Sequence, residues 1–182
     1  MEIAIVTNNK NITIESPLVV KDEIINCNCK RKGLIILLTD LDFHKDMNPI
    51  DLRIEINIKN CQKDDFCVLG LIEKKELHFN NYINIVPGWK GSSSIGYHSD
   101  DGSINYSDIT NVYVRKSDTI KYNLKDRIIL NIGFDGENIY FSLDNKRFFL
   151  KNNNISRWED EFKFIPIIYF DGLVDFNIKI KL

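Results

Sequence analysis

The sequence predicts an all-β protein, a sandwich of two antiparallel sheets with at most one or two short helical turns. Three observations carry this. Apolar residues recur with period two, the spacing of a strand with one wet face. Turn residues fall between these runs where hairpins would reverse. No stretch shows the 3.6-residue periodicity of a long helix.

Along the chain, "LIILL" at 34–38 is apolar throughout and suits one buried strand, and "CKRKG" at 29–33 reads as a solvated turn. "LRIEINIK" places Leu52, Ile54, Ile56 and Ile58 on one face and Arg53, Glu55, Asn57 and Lys59 on the other. "GYHSDDG" at 96–102 reads as a strand holding Gly96 and Tyr97, ending at His98 and turning at Asp100, Asp101 and Gly102. In "RIILNIGFDGENIYFSLDNKRFFL" three strands separate at two turns, "DG" at 135–136 and "DNK" at 144–146. Leu130, Ile132 and Phe134 share a face before the first turn, and Ile139, Phe141 and Leu143 share one after it. "SRWEDEF" at 156–162 suits one helical turn with Ser156 as its cap. "FKFIPIIYF" at 162–170 predicts a central strand covered on both faces, with Pro166 at a bulge or a strand start. "FNIKIKL" alternates again, with Phe176, Ile178, Ile180 and Leu182 on one side. The long polar connections are 39–49, 73–82, 103–120 and 151–161, and loops on a rigid sandwich commonly carry binding.

The 182 residues suit a single domain, 1–182, with a real core. Hydrophobic residues make up 43% and charged residues 27%, which is ordinary globular composition. A net charge of -2 argues against a nucleic-acid footprint. No apolar run approaches the roughly 20 residues that span a bilayer, and no leader is evident. The expectation is a cytoplasmic or nuclear protein without direct membrane insertion. Cys27, Cys29, Cys61 and Cys67 are spaced C-x-C and C-x5-C, which does not suit a zinc site, and they are expected as reduced thiols.

Catalytic patterns are missing from the sequence. His44, His78 and His98 have no ligand or triad spacing, and no G-x-S-x-G elbow or phosphate loop occurs. Asp100 and Asp101 could pair for acid–base work or calcium, but "DDG" is also turn chemistry. The expectation is no catalytic residue, no metal and no cofactor. Trp89, Tyr97, Tyr106, Tyr113 and Trp158 sit in or beside loops. Tyr97 is expected in the core. Trp89 and Tyr106 have polar neighbours and are expected at the surface.

"IGYHSDDGSINY" resembles the "GYHGDDG" segment of SPRY domains, nearest in motif to the Ran-binding protein M type. The similarity continues in order over roughly 15–182. Glu55 in "IDLRIEINI", Gly70 in "FCVLGLI", and Asp126, Phe141 and Asn145 in the three-strand stretch fall on family positions. "FIPIIYFDGLVDFNI" resembles the closing segment. Lys125 and Lys146 replace family glycines, and Ile95 replaces a common tryptophan.

The resemblance implies a bent β-sandwich without a catalytic centre that binds a partner protein or short peptide through loops at one end. It also implies a place in a ubiquitin-ligase or scaffold complex. The partner-binding candidates are Trp89, Lys90, Tyr106, Arg115 and Trp158, the aromatic and basic side chains of the loops. Three alternatives stay open. One is a carbohydrate-binding, lectin-like sandwich using Trp and Tyr platforms. Another is a hydrolase using His98 with Ser92, Ser93 and Ser94. The last is a structural subunit held through a sheet face.

Overall fold

The computed structural model describes residues 3–6, 20–21, 24–29, 34–38, 40–61, 64–75, 85–89, 91–107, 112–116, 119–124, 126–150, 163–171 and 174–182. Strands are numbered along the chain. One seven-stranded sheet orders β1 (Ile3–Val6), β4 (Leu34–Leu38), β13 (Phe164–Asp171), β6 (Phe66–Glu73), β7 (Ser94–His98), β8 (Ile104–Ser107) and β9 (Val112–Lys116). The other orders β12 (Lys146–Leu150), β11 (Ile139–Leu143), β10 (Asp126–Phe134), β5 (Ile50–Asn60), β14 (Val174–Lys181), β3 (Ile24–Cys29) and β2 (Val20–Lys21). Every pairing is antiparallel. No helix among the described residues is long and apolar enough to cross a membrane.

The alternation read from the sequence is the alternation of the sandwich. Leu52, Ile54 and Ile56 of β5, Ile128 to Phe134 at every second position of β10, and Phe176, Ile178 and Ile180 of β14 point inward. They meet Leu69 and Leu71 of β6, Ile95 and Tyr97 of β7, and Phe164, Ile168 and Phe170 of β13. Leu182 departs from the reading: it lies beyond the end of β14 and is exposed. The β11–β12 hairpin turns through Asp144 and Asn145, both at positive φ, the twist a two-residue reversal needs.

β13 is covered on both faces, as its unbroken apolar run implied. Phe164, Ile168 and Phe170 enter the inter-sheet core. Ile165, Ile167 and Tyr169 join a second apolar cluster outside the sheet, with Ile35, Leu37, Val68, Ile72 and Val86. Pro166 sits at neither a bulge nor the first residue. Its register with β6 is continuous, at Leu71. On its other side it falls between the Phe43–Phe164 bridge and the start of the β4 ladder at Ile167, where a missing N–H breaks no ladder.

The connection expected over 103–120 is corrected: it contains β8 and β9. Ile104 and Tyr106 face the core, while Asn105 and Ser107 face outward. The outward residues are polar yet buried, which disguised a strand as a loop. "SRWEDEF" and most of "CKRKG" lie outside the described residues.

Candidate functional site

The site is built from one end of the first sheet and a segment laid across its outer face. "VPGW" at 86–89 is a type II turn: Trp89 N–H donates to Val86 O at 3.0 Å, and Gly88 takes φ 82°. Its backbone lies flat on β6 and β7. A Cβ on Gly96 would stand 2.1 Å from Pro87 O, and one on Gly70 would stand 2.7 Å from Pro87 Cβ. Only glycine admits that approach.

Serine hydroxyls tie the segment down. Gly88 N–H donates to Ser94 Oγ at 2.9 Å, and Ser107 Oγ donates to Trp89 O at 2.5 Å. Ser92 and Ser94 share a hydrogen bond at 2.8 Å. These hydroxyls therefore satisfy buried backbone groups. Ser94 and His98 share a strand face four residues apart, roughly 13 Å along an extended chain, so no hydrogen bond joins them.

Trp89 emerges from this anchor. Its ring stacks on buried His98 at 5.9 Å and 11°, and on Phe66 at 5.9 Å and 29°, and the residue keeps 46% of its surface exposed. Phe66 in turn meets Tyr169 at 5.8 Å. The result is a fixed aromatic row with an open indole.

Phe66 also lines a groove of about 630 Å³ at the same end of the sandwich. Three connections form it: Cys61, Asp64 and Asp65 between β5 and β6, Ser99 and Asp100 between β7 and β8, and 121–124 before β10. The β7–β8 turn is closed by Gly102 N–H to His98 O at 3.0 Å and by Ser103 N–H to Asp101 Oδ1 at 2.8 Å. Ser99 Oγ accepts Cys67 N–H at 2.8 Å. Tyr122 Oη lies 3.0 Å from both Cys67 O and Tyr97 O, which share its one proton, and its ring meets Tyr97 edge-on at 5.0 Å. Tyr97 Oη donates to Ile120 O. Burial pushes the Tyr122 and Tyr97 phenols up, so both remain protonated donors at neutral pH. Burial likewise pushes the Cys67 thiol up, which keeps it a poor nucleophile.

The groove is thus preformed, with rigid walls and an acidic lining: Asp64, Asp65 and Asp100 against Lys121. Asp100 Oδ1 stands 4.0 Å from His98 Nδ1. Among the described residues no three His, Cys, Asp or Glu side chains are grouped to hold a metal ion.

The expected site residues are distributed unevenly. Trp89 is exposed beside the groove. Tyr106 is corrected: it is wholly buried in the inter-sheet core, because β8 turns its first and third residues, Ile104 and Tyr106, inward and its second and fourth, Asn105 and Ser107, outward. Arg115 belongs to β9, with its side chain outside the described set, and Lys90 and Trp158 also lie outside the described residues. Asp64, Asp65, Phe66, Lys121 and Tyr122 were not singled out in the sequence. They come from connections far apart in the chain, and spacing alone does not bring those together.

No family model and no curated protein matches the sequence. Solved structures do share its fold. The SPRY domain of human HERC1 is 12% identical, with 89% of this chain and 90% of that chain covered and a TM-score of 0.50. The CBM2 module of the evolved Dit of Lactobacillus casei BL23 phage J-1 is 11% identical, with 91% and 77% covered and a TM-score of 0.50. Alginate lyase A1-II', of polysaccharide lyase family 7, is 12% identical, with 82% and 68% covered and a TM-score of 0.50. The chain has a SPRY-like, all-β sandwich, an architecture that non-enzymatic domains and polysaccharide-cleaving enzymes share.

Proposed function

We propose that this protein is a non-catalytic interaction module that docks a short segment of a partner protein in the end groove beside Trp89. The observation that supports it most is the joining of an open indole to a preformed groove through Phe66. Exposed aromatic anchors beside fixed pockets are frequent energetic centres of protein recognition. A wall already locked by Tyr97, Tyr122 and Ser99 reduces the ordering cost of binding. The SPRY-like fold and the motif likeness to the Ran-binding protein M type favour the same use, including a role in a ubiquitin-ligase or scaffold complex.

The test is selection of displayed random peptides on the immobilised chain, followed by anisotropy titration of the winners. Trp89→Ala is expected to weaken binding about tenfold or more while leaving the melting curve near wild type. Selection that enriches nothing, or peptides held equally by Trp89→Ala, would contradict the proposal.

A second reading is a glycan-binding sandwich. Trp89 offers a face on which a sugar ring could stack, and the fold occurs in a CBM2 module and in an alginate lyase. A glycan-array signal that disappears in Trp89→Ala would favour this reading over peptide docking.

A further inference from the structure

The outer face of the second sheet carries a concavity of about 450 Å³ lined by Arg53, Glu55, Arg127, Lys179 and Lys181, four cations and one carboxylate. That carboxylate is occupied: Arg127 Nε and a terminal guanidinium nitrogen each donate to one Glu55 oxygen at 2.8 Å. Asp51, on the same face of β5, accepts from Asn131 at 2.7 Å and stands 3.9 Å from Arg147. Among the described residues no carboxylate makes an ion pair with Arg53, Lys179 or Lys181. Arg53 and Lys181 are direct cross-strand partners, an arrangement of like charges that costs a sheet stability. Lys179 and Lys181 are two residues apart on β14, roughly 7 Å, with β5 about 4.8 Å away. In a chain of net charge -2, Arg53, Lys179 and Lys181 are gathered within about 10 Å around one carboxylate, Glu55, which lies directly across the strands from Lys179 and already accepts both Arg127 bonds, so positive charge is in excess there.

We propose that this concavity binds the phosphate group of a phosphorylated segment of a partner protein, at a surface separate from the end groove. An arginine fork with two lysine ammoniums matches the several acceptor oxygens of a phosphate dianion. The ligand is compact because the cations form a cluster and not a strip. No aromatic ring lines the concavity, so a sugar ring finds no platform there. The cations occupy a hollow, and a flat lipid surface reaches a hollow poorly.

The full chain, labelled with ¹⁵N, is titrated with four probes at constant ionic strength. They are a degenerate peptide pool with a central phosphoserine, the same pool unphosphorylated, inorganic phosphate, and vesicles rich in phosphatidylserine. The phosphorylated pool is expected to shift the amides of Arg53, Arg127, Lys179 and Lys181, and inorganic phosphate to shift the same amides at higher concentration. Lys179→Gln with Lys181→Gln, and Arg53→Gln separately, are expected to weaken half-saturation about tenfold, whereas Trp89→Ala leaves it unchanged. The proposal is overturned by no shift with any probe, by shifts elsewhere, by equal response to both pools, by a preference for vesicles, or by unchanged affinity in both sets of Gln variants. Loss of groove binding alone does not touch it, since the Trp89→Ala arm separates the two surfaces.

Discussion

On the first sheet the outer face is itself a small core: Val68, Ile72, Ile165, Ile167 and Tyr169 are buried, and Pro87 and Gly88 press onto Gly70 and Gly96. On the second sheet the corresponding face is open along β5 and β14, with Arg53, Glu55, Asn57 and Lys179 only partly buried and Lys181 exposed. The same inter-sheet core therefore supports two unlike exteriors. The covered face spends its chemistry on holding a segment that presents Trp89 beside the groove. The open face is free to display charge. Substitutions that are equal in size should differ in effect according to which exterior, or which side of a strand, they strike.

The largest expected effect is Tyr106→Ala. Removing a wholly buried ring should cost about 3–5 kcal/mol in urea unfolding. A cost below about 1 kcal/mol would return Tyr106 to the surface where the sequence had placed it. Next is Gly96→Ala, which puts a methyl into the Pro87 carbonyl and should cost about 1–3 kcal/mol. Its counterpart on the open face, Arg53→Gln, should stay within about 0.5 kcal/mol. Equal effects at the two positions would erase the distinction between the exteriors.

The smallest expected effect is electrostatic. The Arg127 guanidinium holds the Glu55 carboxyl below its usual range, and the N–H groups of Asn138 and Glu137 do the same for Asp135. A folded pKa below the unfolded one gives stability that is present above about pH 4.5 and lost as pH falls through the folded value. Glu55→Gln with Asp135→Asn should therefore flatten the acid limb of a stability–pH curve. An unchanged limb would show that neither contact contributes.

The open face was the readable one. "LRIEINIK" and "FNIKIKL" alternate cleanly because one side of β5 and β14 is wet, and their inward residues follow directly. β13 reads as continuous apolar chain because both of its sides are dry. β8 was hidden for the opposite reason. Asn105 and Ser107 are buried polar residues beneath a covering segment, and composition alone assigns such residues to loops. "DDG" and "DNK" were legible as turns because local backbone chemistry decides them. The groove was not legible. Its walls come from 61, 64–66, 99–100 and 121–124, and only the meeting of β6 with β7 and the Tyr122 hydroxyl bonds bring them together. Trp89 was singled out for its type and polar surroundings, and the structure supplies its support on His98 and Phe66.

The most direct test of the groove as the docking site is hydrogen–deuterium exchange of the chain with and without a selected, unphosphorylated peptide. Added protection is expected in 64–66, 99–102 and 119–124 and in the turn that carries Trp89, with β5, β10 and β14 unchanged. Protection confined to β5, β10 and β14, or absent from all three groove connections, would contradict the account.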